Sequence, residues 1–130
     1  MLIFGHRFLK SEEFYHIMDI DAIVKTPPSS TIYLEFHEDN LDILNYLNDN
    51  GVSFALRVKS VNEVIYASSL NAKYIVANEE LAKVAQKIAE TYLFDSKILA
   101  TIVDEEEIEE MALLGIDGVI LSSAIIKISS

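Results

Sequence analysis

Residues 73–103 read KYIVANEELAKVAQKIAETYLFDSKILATIV, and this stretch decides the fold. Two short apolar runs, 73–78 and 98–103, flank a segment in which Leu81, Val84, Ala85, Ile88, Ala89 and Tyr92 recur at helical spacing and give it one apolar face. Asn78 offers a side-chain acceptor to the first free N–H groups of that helix, and Glu79 and Glu80 oppose the positive end of its dipole. Strand, capped amphipathic helix and strand make a βαβ unit, whose two strands run parallel.

The same alternation extends in both directions. Further strand-like runs occupy 31–36, 52–58 and 118–123, so that successive runs begin roughly every 20 to 25 residues, room for one strand, one helix and two tight loops. Ser60 with Glu63 forms a capping box, and Asp104 before Glu105, Glu106 and Glu107 is expected to cap a helix whose apolar face is Ile108, Met111, Ala112 and Gly115. The acidic run from Glu105 to Glu110 then reads as a solvated helix face. Residues 54–78 also lie over 98–122 without a gap, matching Glu63 to Glu107 and Leu70 to Leu114, an offset of 44 residues. That offset is two βα units, the step of a quarter-barrel repeat.

Before residue 31, the run 2–8 reads as another strand, 11–26 mixes strand and short-helix signals, and Pro27, Pro28, Ser29 and Ser30 close the segment with a turn. The expected fold is a single α/β domain over 1–130, a mostly parallel sheet of five or six strands with helical crossovers. A complete TIM barrel needs eight βα units and about 250 residues, so the sheet is expected to be open and doubly wound or a partial (half) TIM barrel. Unclosed sheet edges and the apolar tail 124–128 favour self-association as a homodimer or other homo-oligomer.

Composition narrows the function classes. With 51% hydrophobic residues the 130-residue chain is not disordered, and 10 Lys+Arg against 21 Asp+Glu give a formal charge of −11, which disfavours nucleic acid and anionic membrane surfaces as partners. The chain has no cysteine, which removes thiolate nucleophiles and Cys-rich zinc sites. The opening MLIFGHRF has no basic n-region followed by a long apolar run, and no apolar stretch reaches membrane-spanning length, so a cytoplasmic location is expected.

In parallel α/β sheets, ligands sit at the carboxyl ends of strands. The polar residues expected there include His6 and Arg7, Glu35 and His37, Arg57 and Lys59, Asn78, Thr101 and Asp104, and Ser122 and Ser123. Glu35 and Arg57 each stand at the end of an apolar run, where a buried charge needs a partner, and neighbouring strands would pair them. Gly5 permits a close approach or unusual torsion beside His6 and Arg7, a general acid or base next to an anion clamp. Ser122, Ser123 and Ala124 would present N–H groups and hydroxyls at a short helix start, a phosphate niche together with Arg7 and Arg57. These residues fit a non-catalytic protein that binds an anionic or phosphorylated small molecule, or its own copy, with no cofactor.

Residues 98–121, ILATIVDEEEIEEMALLGIDGVIL, resemble the last βαβ unit of glycerophosphodiester phosphodiesterases, and Gly5-His6-Arg7 resembles that family's opening His-Arg-Gly. The resemblance implies a metal-dependent hydrolase in which His6 acts as acid or base, Arg7 holds phosphate and Glu35 helps bind a divalent cation such as Mg²⁺ or Ca²⁺. Phe8 stands where the third residue of that motif, glycine, belongs, and no Pro-Glu-Asn-Thr follows. Residues 115–128 are similar to the closing phosphate loop of tryptophan synthase α-type barrels, with Ser122 in place of the glycine before Ser-Ala. A third reading is a purely structural interaction protein.

Overall fold

The deciding stretch folds as β5 (Tyr74–Ala77), α3 (Glu79–Thr91) and β6 (Lys97–Thr101) in the computed structural model, which describes residues 1–128. Around it lie β1 (Leu2–Phe4), β2 (Phe14–His16), β3 (Thr31–Glu35), α1 (Leu41–Asp49), β4 (Phe54–Arg57), α2 (Val61–Ser69), α4 (Glu107–Leu113), β7 (Gly118–Ile120) and β8 (Ile125–Lys127). All neighbouring strands are parallel, in the order β1-β7-β6-β5-β4-β3-β2-β8. The sheet thus has eight strands, not five or six. The two additions are β2 and β8, three residues each, which pair with one another.

Strand order corrects the doubly wound expectation. From β2 to β7 the sequence number rises by one at every step without a reversal, so each crossover turns the same way and the helices gather on one face. The cores record this. Buried residues of the four helices, among them Leu44, Leu47, Val64, Ala67, Ala85 and Met111, cluster with Ile32, Leu34, Leu56, Ile75 and Ile98 of the strands. The opposite face of the strands carries a second cluster, Phe4, Phe14, Tyr33, Ala55, Tyr74, Val76, Leu99, Ile120 and Ala124, to which no helix of the α series contributes.

That inner face is concave, and the chain itself dictates the curl. β7 is second in the order and β8 is last, six spacings apart, or about 29 Å in a flat sheet at roughly 4.8 Å per spacing. Residues 121–124 alone join them, and they span about 18 Å at full stretch. The sheet therefore curls into a half barrel that brings its edges toward each other. Phe4 of β1 meets Phe14 of β2 with ring centroids 5.0 Å apart, and Tyr74 packs against both at 5.4 Å. Below this trio Glu12 accepts hydrogen bonds from the Thr31 hydroxyl at 2.8 Å and the Tyr74 hydroxyl at 2.6 Å.

Local details depart from the sequence pattern in two places. On α3 the buried residues are Ala82, Ala85, Gln86 and Ala89, so the helix is rotated by about one position from the expected face, leaving Val84 45% and Tyr92 72% exposed. Small alanines let the helix sit close to the sheet, and Gln86 turns inward because its Oε1 accepts the Asp117 N–H at 2.9 Å. At α4, Asp104 does not cap with its side chain. Glu107 reaches back instead, its Oε2 accepting the N–H groups of Val103 at 2.8 Å and Asp104 at 3.2 Å. Glu63 does the same for Lys59 N–H at 3.0 Å, so the repeat offset of 44 survives as a shared hydrogen bond. Ser60 and Asn78 cap α2 and α3 as expected. Among the described residues no helix is long and apolar enough to cross a membrane.

Candidate functional site

The carboxyl ends of the eight strands gather at one rim of the half barrel, and the expected site residues divide there into two groups. On the β1 side, Gly5 turns the chain with φ +89°, and a Cβ there would lie 2.8 Å from the Ser123 hydroxyl, so only glycine fits. The Ser123 hydroxyl donates to the Gly5 carbonyl at 2.7 Å, which ties β1 to the short 3-10 turn at Ser122–Ala124. Ser123 is thereby committed to the backbone.

His6 and Arg7 converge on Glu105 and not on Glu35. His6 Nε2 lies 2.7 Å from Glu105 Oε2, and Arg7 donates to the same oxygen at 3.0 Å. The Phe8 N–H donates to His6 Nδ1 at 3.1 Å, so the ring's N–H is on Nε2 and donates a hydrogen bond to Glu105. Both ring nitrogens are engaged, the imidazole is 9% exposed, and Phe8 covers it edge-on at 4.9 Å. The hydrogen bond from His6, followed by the charge of Arg7, holds the Glu105 carboxyl below the usual carboxylate range. Together with Val103, Asp104 and Leu121 these residues line a shallow cleft of about 330 Å³.

Glu35 and Arg57 lie on the other side of the rim. They are directly opposite one another in the β3–β4 ladder, and alternation places both on the inner face above Tyr33 and Ala55. The expected ion pair does not form: among the described residues no contact within 4.0 Å joins Glu35 to Arg57. Arg57 leans instead toward the Tyr33 hydroxyl, whose pKa burial raises and whose ionised form Arg57 favours. Its Nε is buried and has no hydrogen-bond partner.

Glu35 opens onto a cleft of about 500 Å³ lined also by His16, Ile17, Met18, Phe36, His37, Asp39, Asn40 and Lys59. The His16 ring packs edge-on against Tyr33 at 5.2 Å, and burial lowers its pKa despite the opposing effect of Glu35. His16 thus stands neutral beside Glu35 at physiological pH. His16 was not among the polar residues expected at the strand ends; the signal that would have found it is its place in β2, a strand of three residues. His37 sits at the rim, its Nδ1 accepting the Asp39 N–H at 3.0 Å.

No protein-family model and no curated protein matches this chain. In the β1 group His6, Arg7 and Glu105 are engaged with one another. The β3–β4 group sets a carboxylate, a neutral imidazole and a lysine around an open cleft, with Arg57 beside Glu35 on the neighbouring strand and its Nε buried without a partner. Among the described residues no three His, Asp or Glu side chains come together in a way that could hold a metal ion.

Proposed function

We propose that the protein is a binding module that takes a small anionic ligand at the β3–β4 side of the strand-end rim, with Arg57 as the residue that grips it. The observation that carries this reading is the buried, unpartnered Arg57 Nε on the inner face of the half barrel. A buried donor without an acceptor costs about 1–3 kcal/mol, and an oxygen of a bound carboxylate or phosphate would recover it. Lys59 at the same rim adds a second positive charge.

Binding is better supported than turnover. The hydrolase reading needs His6, Arg7 and Glu35 around one divalent cation, whereas His6 and Arg7 line one cleft with Glu105 and Glu35 lines another with His16 and Lys59. A thermal-shift titration with inorganic phosphate and with acetate tests the proposal, because a ligand that binds only the folded state raises its stability with concentration. A rise that disappears in Arg57→Gln and persists in Arg7→Gln is expected. A flat titration, or a rise that tracks Arg7 and added Mg²⁺ instead, would overturn it.

A second reading, contact between copies at the same rim, is favoured by three apolar side chains that follow strand ends: Phe8 at 74%, Met18 at 75% and Val103 at 84% exposure. Light scattering of the wild type against a Phe8→Ser, Val103→Ser variant decides it. A mass above the monomer that falls in the variant is the expected outcome.

A further inference from the structure

Resting on the anion-binding reading above, we infer that the ligand is a small zwitterion, an amino acid or a short ω-amino acid, with its carboxylate on Arg57 and its ammonium on Glu35. Glu35 and Arg57 face one another across adjacent strands, where side chains stand roughly 5 Å apart at their bases and opposite charges ordinarily meet. Here they do not. Asn40 Nδ2 donates to the Glu35 backbone carbonyl at 2.9 Å, and the Glu35 carboxylate takes no hydrogen bond among the described residues. Arg57 keeps an orphan Nε. Two opposite charges held side by side and not paired with each other are complementary to a molecule that carries both.

The neighbouring groups sharpen the class. A phosphate dianion on Arg57 would be held less tightly because the Glu35 carboxylate lies beside it, and a simple amine on Glu35 would meet Arg57 and Lys59. Only a ligand with both charges satisfies the two residues at once. Ile17, Met18 and Phe36 give the cleft an apolar wall, which suits a short hydrocarbon body, and its volume of about 500 Å³ suits a small one.

The test is a heteronuclear NMR titration of the intact protein with a panel of free α-amino acids and 4-aminobutanoate. For each zwitterion that perturbs the Glu35 and Arg57 amides, two matched probes follow: the same molecule without its amine and the same molecule without its carboxylate. At least one zwitterion is expected to bind about tenfold more tightly than either single-charge analogue. In Glu35→Gln that preference should vanish while the carboxylate analogue still binds, and in Arg57→Gln both should be lost, with Arg57→Lys as a folded control that keeps the charge but not the planar donor. Phosphate or a plain carboxylate binding as well as every zwitterion would overturn this inference and leave the anion-binding reading standing. No perturbation by phosphate, carboxylate or any zwitterion would overturn both.

Discussion

Arg7 and Arg57 are both arginines at the end of a strand in the same half barrel, and the fold treats them differently. Arg7 reaches Glu105 at 3.0 Å, an oxygen it shares with His6, although these residues lie 98 and 99 positions away in the chain. Arg57 has Glu35 opposite it in the adjoining strand and does not engage it. The first arginine is spent on closing the β1 end against the β6–α4 loop. The second faces a counter-charge that it does not engage, and the proposed ligand site rests on that observation.

The largest effect breaks the comparison by removing the ground both regions stand on. Phe14 is fully buried and packs against Phe4 and Tyr74, the contact through which the two sheet edges meet. Phe14→Ala should cost about 3–5 kcal/mol, seen as a lower denaturant midpoint, because a large void would open where the curl is fixed. Anion binding should fail along with it. Phe14→Leu, which keeps most of the volume, should lose much less; equal losses in the two variants would mean that the aromatic trio does not hold the edges together.

A smaller effect of opposite sign separates the two arginines. If Arg57 is kept for a ligand, it is a liability to the empty protein, and Arg57→Met should raise stability by about 1 kcal/mol by removing an unsatisfied buried donor. The same substitution should abolish the response to phosphate or to a zwitterion. Arg7→Met removes a partner from Glu105 and should lower stability slightly, more at low salt than at high, since the Arg7 side chain is 66% exposed. Denaturation of both variants at two ionic strengths checks the pair. A loss of stability in Arg57→Met would show that the residue is structural.

Legibility in the sequence followed length and locality. The strands of the βα units and the caps at Ser60 and Asn78 were readable because strand-helix alternation and capping are local signals. β2 showed only as a strand signal mixed with short-helix signals over 11–26, because three residues are too few to show alternation, and β8 (Ile125–Lys127) read only as an apolar tail in need of cover. Their mutual pairing supplies that cover and, with strand order, turns an open sheet into a curled one. Glu35 and Arg57 stood out because a charge at the end of an apolar run is costly. Glu105 was hidden in an acidic run read as a solvated helix face, although it precedes α4 and points at His6; no local pattern encodes a partner 99 residues away. Glu12 carried no signal at all, and its role follows only from where Thr31 and Tyr74 come to lie.

The smallest effect is a difference in pH window between the two sides of the rim. On the ligand side the His16 pKa lies below its ordinary value of 6.5, chiefly because burial disfavours the imidazolium, with Lys127 adding to the fall and Glu35 opposing it. The unfolded chain then takes up a proton before the folded one does, so stability is full above pH 6.5 and declines as pH drops through the lowered value. On the clasp side the Glu105 pKa lies below its ordinary 4.5, so its contribution holds above pH 4.5 and is lost only as pH falls through that lower value. The first loss should flatten in His16→Gln and the second in Glu105→Gln, each variant leaving the other window in place, by thermal melts between pH 3 and 8. A zwitterion seated as inferred puts its ammonium on Glu35, on the strand next to His16, and offsets the carboxylate that favours the imidazolium, so saturating ligand should shift the His16 step toward lower pH and leave the Glu105 step where it is. If both steps move together, the two groups are coupled, and the division of the rim into a closed clasp and an open site does not hold.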